Sequence, residues 1–220
     1  MHQVRVGKDL RERNAEIAAE NRRHLAARGV VAFNVMSAPG AGKTSLLVRT
    51  IPLLRDSLSI AVIEGDIQTR RDAERVAALG VPAHQIETGG VCHLDAAMVH
   101  DALHNIRLDG LDLLFIENVG NLVCPAEFDL GEYARVMLLS VSEGDDKPKK
   151  YPLMFRESRL LLLNKIDLLP YVTFDLEKAA REAREINPSL ETIEISCTTG
   201  AGFDRWVRWL RERVDEARRR

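Results

Sequence analysis

The chain has 220 residues and a formal net charge of -2 at pH 7, with 45% hydrophobic and 29% charged residues. This composition is typical of a globular protein that buries a core without the help of disulfide bonds or metal ions. The near-neutral charge argues against nucleic acid as a partner. No apolar run approaches the length of a membrane span, and the first residues, MHQVRVGKDLRERN, contain no signal-peptide hydrophobic region. We therefore expect a cytoplasmic protein with no membrane partner.

The predicted elements begin with residues 8–28, whose strong helix formers and few apolar residues indicate a mostly exposed amphipathic helix ending at Gly29. Short, largely apolar runs then alternate with helical patterns, as in strands buried on both faces of a parallel sheet. The runs are VVAFNVM, SIAVIEGD, LDLLFIENV, ARVMLLSV, RLLLLNKID and TIEIS; the helix candidates lie near 43–56, 70–79, 94–105, 174–186 and 203–219. This alternation predicts a doubly wound α/β fold, with a mostly parallel sheet and helices on both faces, over residues 30–220, and an N-terminal helical arm over residues 1–29.

The segment SAPGAGKT follows the first predicted strand and opens a predicted helix. It matches the phosphate-loop pattern G-x-x-x-x-G-K-[ST] except that Ser37 replaces the first glycine. Gly40 and Gly42 allow the backbone to wrap tightly and to point N–H groups at phosphate oxygens, and the helix N-terminus adds its dipole. Lys43 would reach the β- and γ-phosphates, and the Thr44 hydroxyl would bind Mg²⁺. The alternative is a plain glycine-rich turn, which the complete G-K-T in this context argues against.

Two carboxylates stand at the ends of later predicted strands: Asp66 ends AVIEGD, and Glu117 ends LDLLFIE. Because the carboxyl ends of parallel strands meet at one edge of a sheet, both should lie beside the phosphate loop. Asp66 would hold Mg²⁺ directly or through water, and Glu117 would do the same or orient the attacking water. The alternative for each is a solvated acid at a strand end. The candidate catalytic residues are therefore Lys43, Thr44, Asp66 and Glu117, of which Thr44, Asp66 and Glu117 form the magnesium set.

The run LLLLNKID carries the N-K-x-D pattern with which GTPases recognise guanine. The Asp167 carboxylate would accept hydrogen bonds from guanine N1–H and the exocyclic amine, donors that adenine does not offer in that arrangement. Asn164 would brace the loop, and the Lys165 stem would pack over the ring. Further on, ISCTTG fits a second base-contacting loop, where the backbone near Cys197 would meet guanine O6 and the Cys197 side chain would be structural. The predicted nucleotide-binding set is Gly40, Ala41, Gly42, Lys43, Thr44, Ser45, Asn164, Lys165, Asp167, Ser196 and Cys197.

The stretch GGVCHLDAAMVHDALH raises the question of metal binding, because Cys92 stands beside His93 at the predicted start of a helix. Two more histidines, His100 and His104, follow four residues apart. Helix N-termini favour the thiolate form of cysteine, which is the form that metals bind. The three cysteines of the chain form a sparse, odd set, which argues for reduced thiols rather than a disulfide framework. On these residues alone, metal ligation and ordinary packing stay equally open.

Several segments together resemble the HypB family of nickel-incorporation GTPases for hydrogenases. They are SAPGAGKT, EGD, CHLDA, ENVGNLVCP, EGDDKPKKYPLMFR and NKIDLLPY, and the resemblance runs from about residue 10 to the C-terminus. The most specific part is ENVGNLVCPAEFDLGE, since few other GTPases continue a Walker-B-like strand in this way. The urease accessory GTPase is similar in outline but not in these segments.

The resemblance implies a GTPase that delivers nickel to the large-subunit precursor of nickel–iron hydrogenase. No Gln or His stands clearly at the position of the attacking water, so we expect GTP hydrolysis to be slow. The resemblance also implies an accessory partner protein and a nucleotide-regulated homodimer. The metal ligands that it implies are Cys92, His93 and Cys124, a set that suits Zn²⁺ and, with adjusted geometry, Ni²⁺. His100 and His104 are not part of the family pattern, so we expect solvated or partner-facing side chains that serve at most as reserve ligands. Many family members carry an N-terminal cysteine motif or a histidine-rich tract for nickel, and this chain has neither.

A closed zinc site takes four ligands, so water or a second copy across a dimer would complete this set of three. Cys124 follows Glu117 by seven residues, in a segment of the kind that orders with GTP and relaxes after hydrolysis. Movement of Cys124 would then change metal affinity and release the metal. Lys147 in DDKPKKYP is a candidate for contacting the nucleotide across the dimer, against the alternative of an ordinary charged loop. Two rival functions stay open: a GTP-gated scaffold whose zinc only staples the dimer, and a nickel GTPase for another enzyme such as urease.

Overall fold

The computed structural model describes residues 4–66 and 75–219, with the backbone alone for residues 4–9 and 66. The described residues contain one seven-stranded sheet in which every neighbouring pair of strands is parallel. The strands are β1 (Val31–Ser37), β2 (Ile60–Asp66), β3 (Ala83–Glu87), β4 (Leu113–Glu117), β5 (Ala134–Ser140), β6 (Leu160–Asn164) and β7 (Glu191–Glu194). Their order across the sheet is β3-β2-β4-β1-β5-β6-β7.

Helices cover both faces of the sheet. They are α1 (Val4–Ala26), α2 (Lys43–Leu54), α3 (Ala96–Leu103), α4 (Cys124–Glu127), α5 (Lys147–Lys150), α6 (Pro152–Arg156), α7 (Leu176–Ile186) and α8 (Phe203–Arg218), and a 3₁₀ helix spans Ile166–Tyr171. Residues 75–77 are also helical, so the helix predicted over 70–79 lies partly outside the described residues. None of the helices in the described part of the chain has the length and apolar character needed to cross a membrane.

The predicted doubly wound α/β fold is confirmed. Every residue of β1, β4 and β6 is buried, because strands in the middle of a parallel sheet are covered on both faces. The prediction missed β3, whose sequence AHQIE contains no apolar run. This strand lies at the edge of the sheet, where its side chains are exposed or half-buried, so the hydrophobic pattern of an inner strand is not required there.

One face of the sheet packs against α2 and α8, and its core contains Phe33 and Phe115. Trp206 on α8 is fully buried, and its indole N–H donates to the Thr50 hydroxyl on α2 at 2.9 Å. Trp209 stacks on Trp206 with a centroid distance of 5.7 Å. Both tryptophans therefore serve packing, since each ring joins helix α8 to the apolar core.

The opposite face is covered by α1 and α3 beside β2 and β4, and by α6 and α7 beside β5 and β6. Helix α1 packs along α3 and buries Ala18, Asn21 and Leu25. The predicted mostly exposed amphipathic helix is confirmed for the part of α1 whose side chains the structure describes, since this stripe is its buried face. Its polar anchor is the Asn21 amide, which donates to the carbonyl oxygens of Ala96 at 2.9 Å and Leu130 at 3.0 Å. The division into an arm over 1–29 and a domain over 30–220 stays a prediction.

Candidate functional site

The carboxyl ends of the central strands carry a tight loop between β1 and α2. Gly40 has φ 75° and Gly42 has φ 110°, both in the left-handed region that favours glycine. A Cβ on Gly42 would also stand 2.7 Å from the Asn164 amide nitrogen, so this position has no room for a side chain. The loop backbone at Gly42 therefore packs directly on the N-K-x-D segment. This contact brings the predicted phosphate-binding and base-binding segments together.

The lysine of the loop is held by the residue that departs from the motif. The Lys43 ammonium donates to the Ser37 hydroxyl at 3.2 Å, and that hydroxyl donates to the Ala38 carbonyl oxygen at 2.7 Å. Ser37 and Lys43 are both buried. Ser37 therefore positions the cation inside the loop, and the replacement of glycine leaves the loop intact.

Thr44 and Glu117 bring a hydroxyl and a carboxylate together at the start of α2 and the end of β4. The Thr44 hydroxyl donates to Glu117 Oε1 at 2.8 Å, and both side chains are buried. Hard oxygen donors of this kind are the ligands that Mg²⁺ prefers, so the pair fits the predicted magnesium set. The third member, Asp66, ends β2, and its side chain lies outside the described part of the structure.

The N-K-x-D segment folds back on the phosphate loop. The Asn164 amide donates to the Ala41 carbonyl oxygen at 2.8 Å, and the Lys165 ammonium donates to the Gly40 carbonyl oxygen at 2.7 Å. Lys165 has φ 63°, a left-handed conformation that is unusual for a residue with a side chain. Asp167 then lies in the 3₁₀ helix that follows. The N-K-x-D segment is thus held in place by hydrogen bonds to the phosphate loop within the protein itself.

The ISCTTG segment contacts the N-K-x-D segment through two hydrogen bonds. The Ser196 hydroxyl donates to Asp167 Oδ1 at 2.5 Å, which holds the carboxylate in place. The Cys197 backbone N–H points at Asn164 Oδ1 at 3.4 Å. Burial raises the pKa of the Cys197 thiol to about 11, so the thiol is neutral near pH 7 and is not poised to bind a metal.

An open cleft of about 1080 Å³ lies between these segments. It is large enough for a nucleotide base and sugar by the usual size of ligand pockets. Arg49 on α2 lines it and donates to the carbonyl oxygens of Cys197 at 3.2 Å and Thr198 at 3.3 Å. Residues of the predicted nucleotide set that line the cleft are Gly42, Ser45, Asn164, Lys165, Asp167 and Cys197.

Glu143 is a residue of this region that the sequence analysis did not single out. Its Oε1 accepts from the Ser140 backbone N–H at 3.0 Å, at the end of β5. Burial raises the pKa of its carboxyl group, while the charges of Lys147, Lys165 and Lys43 act in the opposite direction. The lysines of the candidate nucleotide site therefore act electrostatically on this carboxylate. The segment SEGDDKPKKYP is predicted to be a charged loop, and a solvated loop gives no reason to expect that one of its acids, Glu143, is half-buried.

Lys147 lies in the same segment, which the sequence predicts to be a polar loop and which the structure folds into α5 and the start of α6. Its ammonium stands 5.6 Å from the centroid of the Tyr151 ring, over its face. The two neighbouring lysines are held by acids: Lys149 pairs with Glu182 at 2.8 Å, and Lys150 pairs with Asp146 at 2.5 Å. Lys147 is half-buried, and its ammonium lies over an aromatic ring where the other two lysines lie beside carboxylates.

The three predicted metal ligands come together although Cys124 is distant in sequence. The Cys92 and Cys124 sulfurs are 3.0 Å apart as free thiols, and the Cys92 sulfur is 3.8 Å from His93 Nδ1. The three donor atoms lie within 4.8 Å of one another. Two sulfurs and one imidazole nitrogen at this spacing can surround one borderline metal ion such as Zn²⁺ or Ni²⁺.

The local structure explains how these ligands are held. Helix α3 begins at Ala96 with Asp95 as its cap, so Cys92 and His93 lie in the loop before the helix rather than on its first turn. The His93 ring stacks on Phe128 with a centroid distance of 4.0 Å. Partial burial lowers the pKa of His93, which favours the neutral imidazole that binds metals. The hydrogen bond with Cys92, followed by burial, raises the pKa of the Cys124 thiol.

A buried amide connects the metal loop to the strand that ends beside the phosphate loop. Asn118 directly follows Glu117 and is fully buried. Its Oδ1 accepts from the Leu94 backbone N–H at 3.1 Å, and its amide donates to Asn34 Oδ1 at 3.2 Å. Leu94 is the residue after His93, so consecutive contacts run from Thr44 through Glu117 and Asn118 to the metal loop. Asn118 belongs to the ENVGNLVCP segment, but its sequence position alone indicates no role for it.

Comparison with known proteins places this arrangement in a family. Residues 31–194 match the model of a protein family described as CobW/HypB/UreG, nucleotide-binding domain. Hydrogenase maturation factor HypB of Escherichia coli K12 is 55% identical over 202 residues, which cover 92% of this chain and 70% of that protein. The chain belongs to the HypB family. The resemblance noted from the sequence segments is confirmed.

Solved HypB structures share the fold. HypB from Archaeoglobus fulgidus has a TM-score of 0.87 at 43% identity, covering 92% of this chain and 99% of that one. HypB from Helicobacter pylori in complex with nickel has a TM-score of 0.88 at 36% identity, covering 93% and 96% of the two chains. The parallel sheet and its flanking helices are therefore those of HypB proteins.

Proposed function

We propose that this HypB-family chain is a GTP-hydrolysing metallochaperone. It binds nickel at Cys92, His93 and Cys124 and delivers it, with an accessory protein, to the large-subunit precursor of nickel–iron hydrogenase. The observation that carries the proposal is the continuous contact between the candidate nucleotide site and the candidate metal site through Glu117 and Asn118. A metal site next to a nucleotide site needs such a contact if hydrolysis is to control metal release.

The nucleotide half of the function depends on two sets of side chains. Asp167, held by Ser196, presents carboxylate oxygens to the two donors of guanine, so GTP is favoured over ATP. Lys43 faces the phosphate end of the loop, where a cation stabilises the charge that develops on the transferred phosphoryl group. Thr44, Glu117 and Asp66 would hold Mg²⁺, which would supply further charge neutralisation at the β- and γ-phosphates.

Coupling to the metal follows from the Thr44–Glu117 contact. A nucleotide that engages the Thr44 hydroxyl changes the partner of Glu117, which is buried and has a restricted choice of positions. Asn118 is the next residue, and its side chain holds the backbone of the metal loop at Leu94. The chain then continues to Cys124. A displacement of Glu117 and Asn118 would therefore change the distances from the Cys124 sulfur to Cys92 and His93. A change of this kind alters coordination number and therefore metal affinity.

The proposal is tested by removing the hydrogen bond between Asn118 and the Leu94 backbone N–H. In Asn118→Ala, we expect the ratio of nickel affinities with GDP and with a non-hydrolysable GTP analogue to fall to about one, because Leu94 is no longer held. Nickel binding itself should persist, since no ligand is removed. Nickel titration against a chromophoric chelator in both nucleotide states gives the ratio. Phosphate release from GTP, measured on the same samples, reports hydrolysis.

The matched control for Asn118 is Asn34→Ala, which removes the amide partner on the other side and leaves the Leu94 contact. Each change removes hydrogen bonds of a buried amide, at a cost of about 1–3 kcal/mol in the free energy of unfolding for each buried group left unpaired. If Asn118→Ala keeps the wild-type dependence of nickel affinity on nucleotide, coupling does not run through this residue.

Lys147 is proposed to contact the nucleotide bound by the second copy in a homodimer. Lys147→Ala should weaken dimerisation with the GTP analogue by about tenfold, the loss expected for one hydrogen bond to a charged phosphate. Dimerisation without nucleotide should not change. Sedimentation at several protein concentrations measures both constants. Lys150→Ala is the control, because Lys150 is paired with Asp146, the residue that precedes the same helix. Equal effects of the two changes would contradict a specific role for Lys147.

A second candidate function is a GTP-timed scaffold in which zinc only staples the dimer. It is favoured by the three-ligand set, which a second copy could complete, and by its two sulfurs, which suit Zn²⁺. A staple exchanges its metal slowly in both nucleotide states, whereas a delivery site exchanges faster in one of them.

A further inference from the structure

Three histidines gather where α1 packs against α3, away from the cysteine ligands. His100 and His104 lie one turn apart on α3, and their Nε2 atoms are 3.2 Å from each other. His24 on α1 lies across from them, with its ring centroid 6.0 Å from that of His104. The sequence predicts solvated or partner-facing side chains for His100 and His104. That prediction holds for His104, which is exposed, and is wrong for His100, which is half-buried against α1.

The tautomer of His100 is set by a buried neighbour. Asn21 is fully buried, and its amide nitrogen donates to the carbonyl oxygens of Ala96 and Leu130. The Asn21 oxygen is therefore the atom that faces His100 Nδ1, at 2.8 Å. A neutral His100 must carry its hydrogen on Nδ1 to make this contact, so the Nε2 lone pair points at His104. Metal-binding histidines are oriented in the same way, by a hydrogen bond from the other ring nitrogen.

The distance between the two Nε2 atoms fits one shared ion. With metal–nitrogen distances of about 2.0–2.1 Å, a separation of 3.2 Å corresponds to a nitrogen–metal–nitrogen angle of about 100°, close to tetrahedral. His104 is exposed and can take the tautomer with hydrogen on Nδ1 at little cost. His24 is half-buried, and burial followed by the charge of Arg28 lowers its pKa, which favours the neutral imidazole that binds metals.

We propose that His100 and His104 form a second metal site for a borderline divalent ion, Ni²⁺ or Zn²⁺, with His24 as the third ligand after rotation of its side chain. Water completes the coordination on the exposed side. All its protein ligands are nitrogen atoms, which distinguishes it chemically from the site with two sulfurs. Since His24 belongs to α1 and the other two ligands to α3, an ion held here also ties α1 to the domain.

The site is tested in a background that lacks the first one. Untagged protein carrying Cys92→Ser, Cys124→Ser and His2→Gln is dialysed against Ni²⁺ and Zn²⁺, and bound metal is measured per chain; His2 is replaced because a histidine next to the amino terminus can itself bind metal. We expect about one ion per chain. Adding His104→Gln should weaken binding by at least tenfold, and His104 is exposed, so the fold is not disturbed. His84→Gln, which removes a histidine of β3, is the control and should change nothing.

A second readout is independent of affinity. Nuclear magnetic resonance of the ring nitrogens should show His100 with its hydrogen on Nδ1 in the metal-free protein, and added Zn²⁺ should shift the Nε2 signals of His100 and His104. The proposal is overturned if the background binds no metal, if His104→Gln binds as tightly as the background, or if His100 carries its hydrogen on Nε2. Each result is independent of GTP binding and of nickel at Cys92, so the proposed function can stand or fall separately.

Discussion

Asp167→Asn is expected to weaken GTP and GDP binding by about a thousandfold and to create binding of xanthosine nucleotides. The Asp167 carboxylate accepts from two guanine donors, whereas an asparagine amide turns a donor toward the guanine amine. Sites built to pair with a specific polar group reject the mismatched analogue by factors of this size or larger. Xanthine carries a carbonyl in place of that amine, so it matches the new donor. The Ser196 hydroxyl still has an oxygen at position 167 to donate to, so the loop should keep its shape.

Calorimetric titration with GDP, xanthosine diphosphate and ADP measures this exchange of specificity. Asp204→Asn is the matched control, since Asp204 lines the same cleft but lies outside the N-K-x-D segment. Unchanged GDP affinity in Asp167→Asn would mean that the base binds elsewhere. A loss of GDP binding without gain of xanthosine binding, together with a lower melting temperature, would point to a damaged loop instead.

Cys124→Ser is expected to lower nickel affinity by roughly a hundredfold or more while leaving GDP binding unchanged. The change replaces a soft sulfur donor with a weak hydroxyl in a set of only three protein ligands. The Cys124 side chain is half-exposed at the start of α4, so the substitution opens no cavity in the core. The loss therefore reflects ligation rather than stability.

Competition with a chromophoric chelator measures the nickel affinity, and the sulfur-to-nickel absorption band reports the bonding directly. Cys197→Ser is the matched control, because this third cysteine lies in the base-contacting loop and should leave both the affinity and the band unchanged. Wild-type nickel binding and an unchanged band in Cys124→Ser would show that the sulfur donors are not those of this cluster.

Much of the fold could be predicted because its signals are local. The apolar runs of β1, β4 and β6 are continuous, since these strands are covered on both faces. The phosphate loop and the N-K-x-D segment each occupy consecutive residues at the end of such a strand, so their sequence and position indicate the site together. Edge strand β3 has no such pattern because half of its surroundings is solvent.

The remaining parts of the site depend on contacts between distant residues. Asn118 is important because of Leu94, and nothing in the ENVGNLVCP segment indicates which backbone N–H that amide will meet. Glu143 lies in a charged segment, and its partial burial becomes apparent only when β5 and the lysines around it are placed. The tautomer of His100 depends on Asn21, which is 79 residues away in the chain. Sequence patterns identify the donor types, whereas the fold determines which of them meet.

The most direct test measures nickel affinity and oligomeric mass together, with GDP and with a non-hydrolysable GTP analogue, for the wild type and for Cys92→Ala. If the nucleotide gates the metal site, nickel affinity and mass both change between the two nucleotides, and Cys92→Ala loses the metal. Equal nickel affinity in both states, or nickel binding that survives in Cys92→Ala, would contradict gated delivery from the Cys92, His93 and Cys124 site.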